Sequence, residues 1–378
     1  MIKKLTIYQF LLLLFIIGCS TKTTKVDEAN TQKSTIKYAT GFDIARENGI
    51  KKLIIKSPYQ NAEEVFEYTI KRKTDSNIDS FSTNLISVPI QKIVVTSTTH
   101  IPMVELLNEE NAIVGFPFSR YVSSKKTRVL IDEGKITEIG KEGSLNTEIL
   151  LELEPELIVG YSVASADKSL STIKKSGIPV IYNGDWLEET PLGRAEWIKF
   201  FGVLFDKERE ADSIFKNIER EYLNAKKLAL SSTKKPSVLS GAIMSNDIWN
   251  LPAGESFVAQ FLKDANMNYI WQNSSGKGSL SLSFESVFEK ANNADVWIAP
   301  GYFSSKNQMI NSNALYKKFD AFTKGTIYTP STKKGETGGI IYYELASTRP
   351  DLVLKDLIKI AHPHLMQSYN FTFFEKMK

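Results

Sequence analysis

Side chains that could perform catalysis or bind a bare metal ion are few in this sequence. Its 378 residues include one cysteine and three histidines, His100, His362 and His364. A nucleophilic serine would need a G-x-S-x-G turn, and a phosphate loop would need G-x-x-x-x-G-K-[ST]; neither motif is present. A bare-metal site needs several clustered His, Cys or carboxylate ligands, which three scattered histidines do not provide. The sequence therefore predicts a non-enzyme without a resident cofactor or metal ion.

The single cysteine, Cys19, ends an apolar run that follows Lys3 and Lys4. The run from Leu5 to Gly18 is shorter than the roughly 20 residues that cross a bilayer, and it has the three-part form of a secretory signal. Residues 16–19, IIGC, resemble a bacterial lipobox, where cleavage leaves a lipidated cysteine as the first residue. We expect a lipoprotein signal peptide at 1–18 and lipidation at Cys19. An ordinary signal with a chance cysteine is the alternative.

The charge of the chain is concentrated before the folded body. Residues 19–35 are polar and predict a flexible tether. The formal net charge is +4, of which five lysines and two acidic residues before position 36 contribute +3, leaving about +1 for the rest. A nucleic-acid-binding protein would carry a strongly basic surface, so that class is excluded.

We expect a monomer in the cell envelope, facing the periplasm, on a lipid anchor in either the inner or the outer membrane.

The order of apolar segments predicts an α/β fold. Residues 36–70 contain strand patterns around a turn, which indicates a hairpin. From residue 92 onward strands alternate with amphipathic helices, as in TEILLELEPELIVGY at 147–161, and the alternation resumes after residue 236. A helical stretch separates the two blocks. We predict two Rossmann-like lobes with parallel sheets (36–186, including the hairpin extension, and 234–378) joined by one long rigid α-helix at 187–233.

Aromatic and hydroxyl-bearing residues cluster in the loops that follow the predicted strands. Ligands of open α/β sheets bind beyond the carboxyl ends of the strands, so two facing lobes would enclose a cleft. Aromatic walls with a few polar or cationic anchors suit a sizeable, partly apolar ligand with anionic or carbonyl groups. Aromatic residues make up 11% of the chain, so several could belong to the core instead. The predicted ligand contacts are Thr98, His100, Phe118, Arg120, Tyr121, Tyr161, Trp186, Arg194, Trp249 and Tyr302.

Several segments together resemble one family. Leu145–Gly160 follows the pattern LxxExLLxLxPDLIVG, with Glu156 in place of the usual Asp, and KKSGIPVIY and RPDLVLKDLIKIAHPHL occur at the expected places. Over residues 88–378 the chain resembles the substrate-binding proteins of ABC importers for iron chelates, haem and cobalamin. The resemblance implies two lobes that move little, a small metal–organic ligand between them, and a permease and its ATPase as partners.

The resemblance also assigns residue roles. It implies that Glu148 and Glu285, one on each lobe, dock onto arginines of the permease; alone, each would be a helix N-terminal glutamate that favours the macrodipole. Cobalamin-binding members carry tryptophan in the loop before the docking helix, here Gly140–Gly143, and at the position of Tyr161. Arg120 and Arg194 instead suit anionic chelates. A ferric siderophore is therefore the favoured ligand, and haem or a cobamide remains an alternative ligand. Two other classes of protein also remain as alternatives: an enzyme or insertase helper that acts on a metal chelate, and a surface adhesin.

Overall fold

The computed structural model describes residues 34–47, 49–75, 84–141, 144–162, 168–245 and 247–378. The predicted signal peptide, Cys19 and nearly all of the predicted tether lie outside these residues, as do Glu142 and Gly143 of the loop before Glu148. Within the described ranges, none of the helices combines the length and apolarity needed to cross a bilayer.

A four-stranded sheet precedes the first lobe. Its strands are β1 Phe42–Glu47, β2 Ile50–Ile55, β3 Phe66–Arg72 and β4 Leu85–Val88. β1, β2 and β3 form an antiparallel meander, and β4 pairs parallel to β3. The sequence predicted only a hairpin here. Phe42 packs on Trp197 with ring centroids 4.5 Å apart, and the sheet shares the apolar core of the first lobe.

The first lobe contains a parallel sheet with helices on both faces. In chain order its elements are β5 Ile93–Val95, α1 His100–Leu106, β6 Ile113–Phe116, α2 Lys125–Asp132, β7 Thr137–Glu138, β8 Gly140–Lys141, β9 Ser144–Leu145, α3 Thr147–Leu153, β10 Leu157–Gly160, α4 Lys168–Lys175 and β11 Val180–Tyr182. The strand order is β11-β10-β5-β6-β7, and β8 and β9 form a separate small ladder. The strands are short apolar runs because both faces of the sheet are covered.

Three helical segments follow where the sequence predicted one continuous helix. They are α5 Pro191–Glu196, α6 Ile198–Leu204 and α7 Glu208–Ala229. Between α6 and α7 the backbone of Asp206 adopts a left-handed conformation with φ of 55°. A right-handed helix cannot continue through such a residue, so the chain bends there.

The second lobe repeats the alternation of strands and helices. Its elements are β12 Ser237–Ser240, β13 Ala242–Ser245, β14 Ile248–Pro252, α8 Phe257–Asp264, β15 Asn268–Tyr269, β16 Ser279–Ser283, α9 Phe284–Ala291, β17 Val296–Ile298, α10 Lys306–Ser312, α11 Asp320–Lys324, β18 Ile327–Thr329, α12 Ile341–Leu345, α13 Pro350–Ala361 and β19 Glu375–Lys376. The main sheet has the order β15-β12-β17-β18-β19, parallel except for β19. β13, β14 and β16 form an antiparallel sheet that the sequence did not predict.

The long helix α7 belongs to both cores. Phe215 and Ile218, in its first half, pack in the core of the first lobe. Tyr222, Ala225 and Ala229, in its second half, pack in the core of the second lobe. The two predicted lobes with parallel sheets are therefore present, and α7 forms a rigid connection between them.

Two buried carboxylates hold the segment where the chain enters the folded body. Glu196 accepts hydrogen bonds from the backbone N–H groups of residues 37–39, at N···O distances of 2.6 to 3.0 Å. Glu188 accepts from the backbone N–H groups of residues 40 and 41 and from the indole of Trp197, at 2.8 to 3.0 Å. We call residues 37–41 the entry strap. It is fixed to α5 and to the loop before α5 by charge-assisted hydrogen bonds, which are stronger than neutral ones.

We expect Glu196→Gln to destabilise the protein by about 3 kcal/mol. The neutral amide accepts weaker hydrogen bonds from the backbone N–H groups of the entry strap, and the substitution also breaks the ion pair between residue 196 and buried Lys199. Urea unfolding followed by circular dichroism measures the difference. Glu210→Gln, at an exposed position of α7, is the matched control and should change the free energy of unfolding little. Equal stability of the two variants would show that the entry strap is held by other contacts.

Candidate functional site

The topology of each sheet determines where a ligand site can form. In the first sheet β5 lies between β6 and β10, and in the second β12 lies between β15 and β17, so the chain turns to opposite sides at these strands. Crevices open beyond the carboxyl ends of strands at such switch points. The loops there contain residues 96–98 and Tyr161 in the first lobe, and Gly241 and residues 299–302 in the second. All of them except Pro300 line one of two cavities in the cleft.

A cavity of about 750 Å³ lies on the first-lobe side of the cleft, and we call it the tyrosine chamber. Hydroxyl groups and aromatic rings dominate its wall, and Glu344 is the acidic residue among the described residues that line it. The lining residues are Thr96, Ser97, Thr98, Phe116, Pro117, Phe118, Tyr121, Tyr161, Tyr302, Gly338, Gly339, Ile340, Tyr343 and Glu344. Phe118 reaches this wall from a left-handed backbone conformation, with φ of 55°.

A second cavity of about 560 Å³ lies against the second lobe, and we call it the arginine chamber. Most of its wall is apolar, with several hydroxyl groups and one cation, Arg194. The lining residues are Thr99, Arg194, Ser240, Gly241, Ala242, Met244, Asn250, Leu251, Pro252, Phe257, Val258, Ser279, Ala299, Gly301, Tyr302, Tyr342, Tyr343, Ala346 and Ser347.

Tyr302 and Tyr343 form the boundary between the two chambers. Both residues line both cavities, and their ring centroids are 5.9 Å apart. Their side chains remain accessible, with relative exposures of 65% and 46%. Large exposed aromatic rings in a cleft are available to stack on a ligand.

The guanidinium group of Arg194 is held in a fixed orientation. Its Nε donates to the carbonyl oxygen of Glu188 at 3.1 Å and one Nη donates to that of Trp186 at 2.5 Å. Its carbon atom Cζ lies 3.6 Å from the centroid of the Phe257 ring, a stacked cation–π contact. Burial lowers the pKa of Arg194. Burial also raises the pKa of nearby Asp185 to about 6, opposed mainly by the charge of Arg194.

Helix α12 and the loop before it connect the lobes along one side of the cleft. The carboxylate of Glu344 accepts from the backbone N–H groups of Ser123 and Ser124 in the first lobe, at 2.6 and 2.8 Å. The hydroxyl of Thr337 donates to the carbonyl oxygen of Arg120 at 2.7 Å. A Cβ atom on Gly339 would lie 2.1 Å from a backbone oxygen of the first lobe, so glycine permits this close approach.

The structure brings most of the predicted ligand contacts to this cleft. Arg120 is exposed beside the tyrosine chamber, where it donates to the Tyr121 hydroxyl at 2.8 Å and stacks on the same ring. Trp186 packs edge-on against Tyr161, with centroids 6.0 Å apart, and does not itself line either chamber. The predicted residues that line a chamber are Thr98, Phe118, Tyr121, Tyr161, Arg194 and Tyr302.

His100 and Trp249 correct the sequence interpretation, because both are fully buried and neither reaches the cleft. His100 is the first residue of α1 and packs against Phe201, and burial lowers its pKa to about 3. Trp249 stacks on Trp297, with centroids 5.2 Å apart, and donates its indole N–H to the carbonyl oxygen of Ser240 at 3.0 Å. Both are core residues of their lobes.

Sequence reasoning missed the contribution of α12. Tyr342, Tyr343 and Glu344 come from this short helix, and the sequence analysis had assigned no role to them. The signal was the glycine-rich segment KKGETGG at 333–339, which is separated from the pair of tyrosines by two residues, since glycines allow close backbone contact. Phe257 and Met244, which complete the arginine chamber, were also missed.

Glu148 and Glu285 occupy equivalent positions on the two lobes. Each is the exposed second residue of a helix, α3 or α9, that directly follows a short strand. The side chains of Asn146 and Ser283 cap these helices by accepting hydrogen bonds from backbone N–H groups of the first turn. Among the residues that the structure describes, no group of three His, Cys, Asp or Glu side chains is placed to share a metal ion.

Comparisons of the sequence place the chain among known proteins. The sequence model described as periplasmic binding protein matches residues 93–333. The uncharacterized lipoprotein MJ0878 of Methanocaldococcus jannaschii is 28% identical over 301 residues, which are 77% of this chain and 70% of that protein. A second uncharacterized lipoprotein of the same organism, MJ0872, is 26% identical over 74% of this chain and 72% of its own length.

Solved structures share the fold at lower identity. A possible iron-binding (periplasmic solute-binding) protein from Staphylococcus epidermidis has a TM-score of 0.56 and 19% identity, covering 73% of this chain and 100% of that one. A periplasmic heme-binding protein from Pseudomonas aeruginosa has a TM-score of 0.57 and 15% identity, over 76% and 98%. Ceue from Helicobacter pylori with bound Ni(II) has a TM-score of 0.57 and 16% identity, over 75% and 88%.

The contact between Glu344 and the first lobe predicts a pH dependence. Burial raises the pKa of Glu344 from 4.5 to about 7, helped by the charge of Glu105. The folded form therefore binds this proton more tightly than the unfolded form, and the stability that protonation adds is lost as the pH rises from about 4.5 to about 7. Glu344→Gln lacks this titration. The free energy of unfolding of the wild type, relative to Glu344→Gln, should be larger at pH 5 than at pH 8 in urea unfolding.

Glu336→Gln is the matched control, since Glu336 is an exposed carboxylate in the loop directly before α12. The difference in free energy of unfolding between the wild type and Glu336→Gln should change little between pH 5 and pH 8. A wild type whose stability relative to Glu344→Gln is constant from pH 5 to pH 8 would contradict the raised pKa.

Proposed function

Because the chain belongs to the periplasmic binding protein family, we propose that it is the substrate-binding component of an ABC importer. It captures a metal–organic complex between its lobes and delivers the complex to a permease and its ATPase. The observation that carries this proposal is the pair of chambers at the switch points of both sheets, with exposed tyrosines at their boundary. The role is binding without covalent chemistry.

A ferric siderophore is the ligand that we favour. The tyrosine chamber offers hydroxyl donors and aromatic faces, and Arg194 and Arg120 offer cations for anionic groups. Haem is the second candidate, because a flat tetrapyrrole suits the accessible rings of Tyr121, Tyr302 and Tyr343, and a structural neighbour is named as heme-binding. A cobamide is the third ligand to test in the same role.

We place the protein in the cell envelope as a lipid-anchored monomer that faces the periplasm. Support comes from the lipobox-like residues before Cys19 and from the relatives that are named lipoproteins. Two or more acyl chains on Cys19 would anchor the chain stably. The near-neutral charge of the folded body supports a role that does not involve nucleic acid.

The ligand class is tested by titration of tryptophan fluorescence with a ferric catecholate, a ferric hydroxamate, haemin and cyanocobalamin. We expect a ferric chelate to bind with a Kd below about 10 μM. Tyr121→Ala should weaken that binding about tenfold, because it removes an exposed ring from the wall of the tyrosine chamber. Tyr59→Ala, which alters a tyrosine of the N-terminal extension that lines neither chamber, is the control. Failure of all four probes to bind would refute the proposed ligand class.

The docking role is tested by reversing both charges, with Glu148→Lys and Glu285→Lys in one protein. Uptake by the importer should fall to background while ligand affinity stays unchanged, because the exposed carboxylates lie outside both chambers. Glu152→Lys with Glu289→Lys reverses two exposed charges on the same helices and should preserve most uptake. A loss of ligand affinity, or equal uptake by the two double variants, would remove the docking assignment.

A further inference from the structure

The two chambers of the cleft differ in chemistry. The wall of the tyrosine chamber carries the hydroxyls of residues 96–98, several phenols and the carboxylate of Glu344, but no Lys or Arg among the described residues. The arginine chamber has mostly apolar walls, including Met244, Leu251 and Val258, with Arg194 as its cation. A ligand of uniform chemistry would match only one of these walls.

The boundary between the chambers is thin and accessible. It consists of Tyr302 and Tyr343, whose rings meet with a centroid separation of 5.9 Å and are each about half exposed or more. Tyr302 follows a sharp turn in which Ala299 and Gly301 both have positive φ angles, of 51° and 55°. A molecule that contacts this pair of rings can extend into both cavities.

Arg194 has donors left for such a molecule. A guanidinium group has five N–H donors, and in the described part of the chain two of them are used, for the carbonyl oxygens of Glu188 and Trp186. The stack on Phe257 fixes the plane of the group in the chamber wall. A partly buried, oriented guanidinium favours a carboxylate or a similar planar anion over a neutral group.

We propose that the ligand is bipartite. A metal-chelating head occupies the tyrosine chamber, and an apolar arm that ends in a carboxylate passes the Tyr302–Tyr343 pair and enters the arginine chamber to bind Arg194. This inference rests on the proposed function, and it adds the chemical form of the ligand. Apolar walls favour the arm because burying it removes apolar surface from water, and the single cation selects its anionic end.

Three synthetic ferric chelates that share the same catecholate head and differ only in the arm test the inference on the wild-type protein. The first has no arm, the second has an aliphatic arm that ends in a carboxamide, and the third has the same arm ending in a carboxylate. Isothermal titration should show the carboxylate form binding at least about tenfold more tightly than the carboxamide form, with the armless chelate weakest.

Two variants locate the arm. Arg194→Gln should abolish the preference for carboxylate over carboxamide, whereas Arg209→Gln, at an exposed position of α7, should retain it. Because Arg194 also bonds two backbone carbonyls, Ser279→Trp provides a second variant that leaves the guanidinium in place. Ser279 is an exposed residue of β16 that lines the arginine chamber, so an indole there should weaken both armed chelates about tenfold and leave the armless chelate unchanged.

The outcomes separate this inference from the proposed function. Equal affinities of the carboxylate and carboxamide chelates would overturn the bipartite ligand, while their binding would still support chelate capture. If Ser279→Trp bound the armed chelates with the same affinity as the wild type, the proposed position of the arm in the arginine chamber would be wrong. Failure of all three chelates to bind the wild type would overturn the bipartite ligand, while binding of haemin, a ferric hydroxamate or cyanocobalamin would still support capture of a metal–organic complex.

Discussion

One helix holds the two lobes in a fixed relative position, because residues of α7 are buried in both cores. Phe215 packs with the first lobe and Tyr222, two turns later, with the second. Large rotation of one lobe against the other would expose apolar surface on this helix, which is costly in water. The constraint therefore limits the cleft to small movements and keeps the chambers largely formed. Specific recognition then depends on side chains in loops whose ends are fixed by both sheets.

The site follows from the order in which each sheet is assembled. β5 and β12 are the strands at which the chain changes direction across its sheet, and the loops beyond them face one another. The first lobe contributes hydroxyls and Tyr161, and the second contributes Tyr302 and the tyrosines of α12. Glu344 adds a direct hydrogen-bonded link between the lobes at the edge of the cleft. Residues that line the cavities and a residue that joins the lobes thus lie on one short helix.

Local patterns in the sequence were sufficient for the two α/β lobes but not for the four-stranded extension or the antiparallel sheet of β13, β14 and β16, and the family resemblance is confirmed. Apolar strands alternating with amphipathic helices predicted both parallel sheets. The break at Asp206 was missed, because a single left-handed residue leaves no periodic signal. In the site, Tyr161 directly follows β10 and Tyr302 lies in the loop after β17, so their positions could be inferred. Whether Trp249 faces a cleft or a core depends on its neighbour Trp297, and the contact of Glu344 joins residues more than 200 positions apart. Neither could be read from local sequence.

The entry strap also determines how tension would pass through the molecule. Any pull on the chain that precedes Ser34 reaches residues 37–41, whose backbone is bonded to Glu188 and Glu196. Glu196 belongs to α5 and Glu188 to the loop before it, the segment that also provides Arg194 of the arginine chamber. The load is therefore carried by charge-assisted hydrogen bonds to this segment. For a chain anchored as proposed, tension from the N-terminal side would reach these hydrogen bonds before it reaches β1.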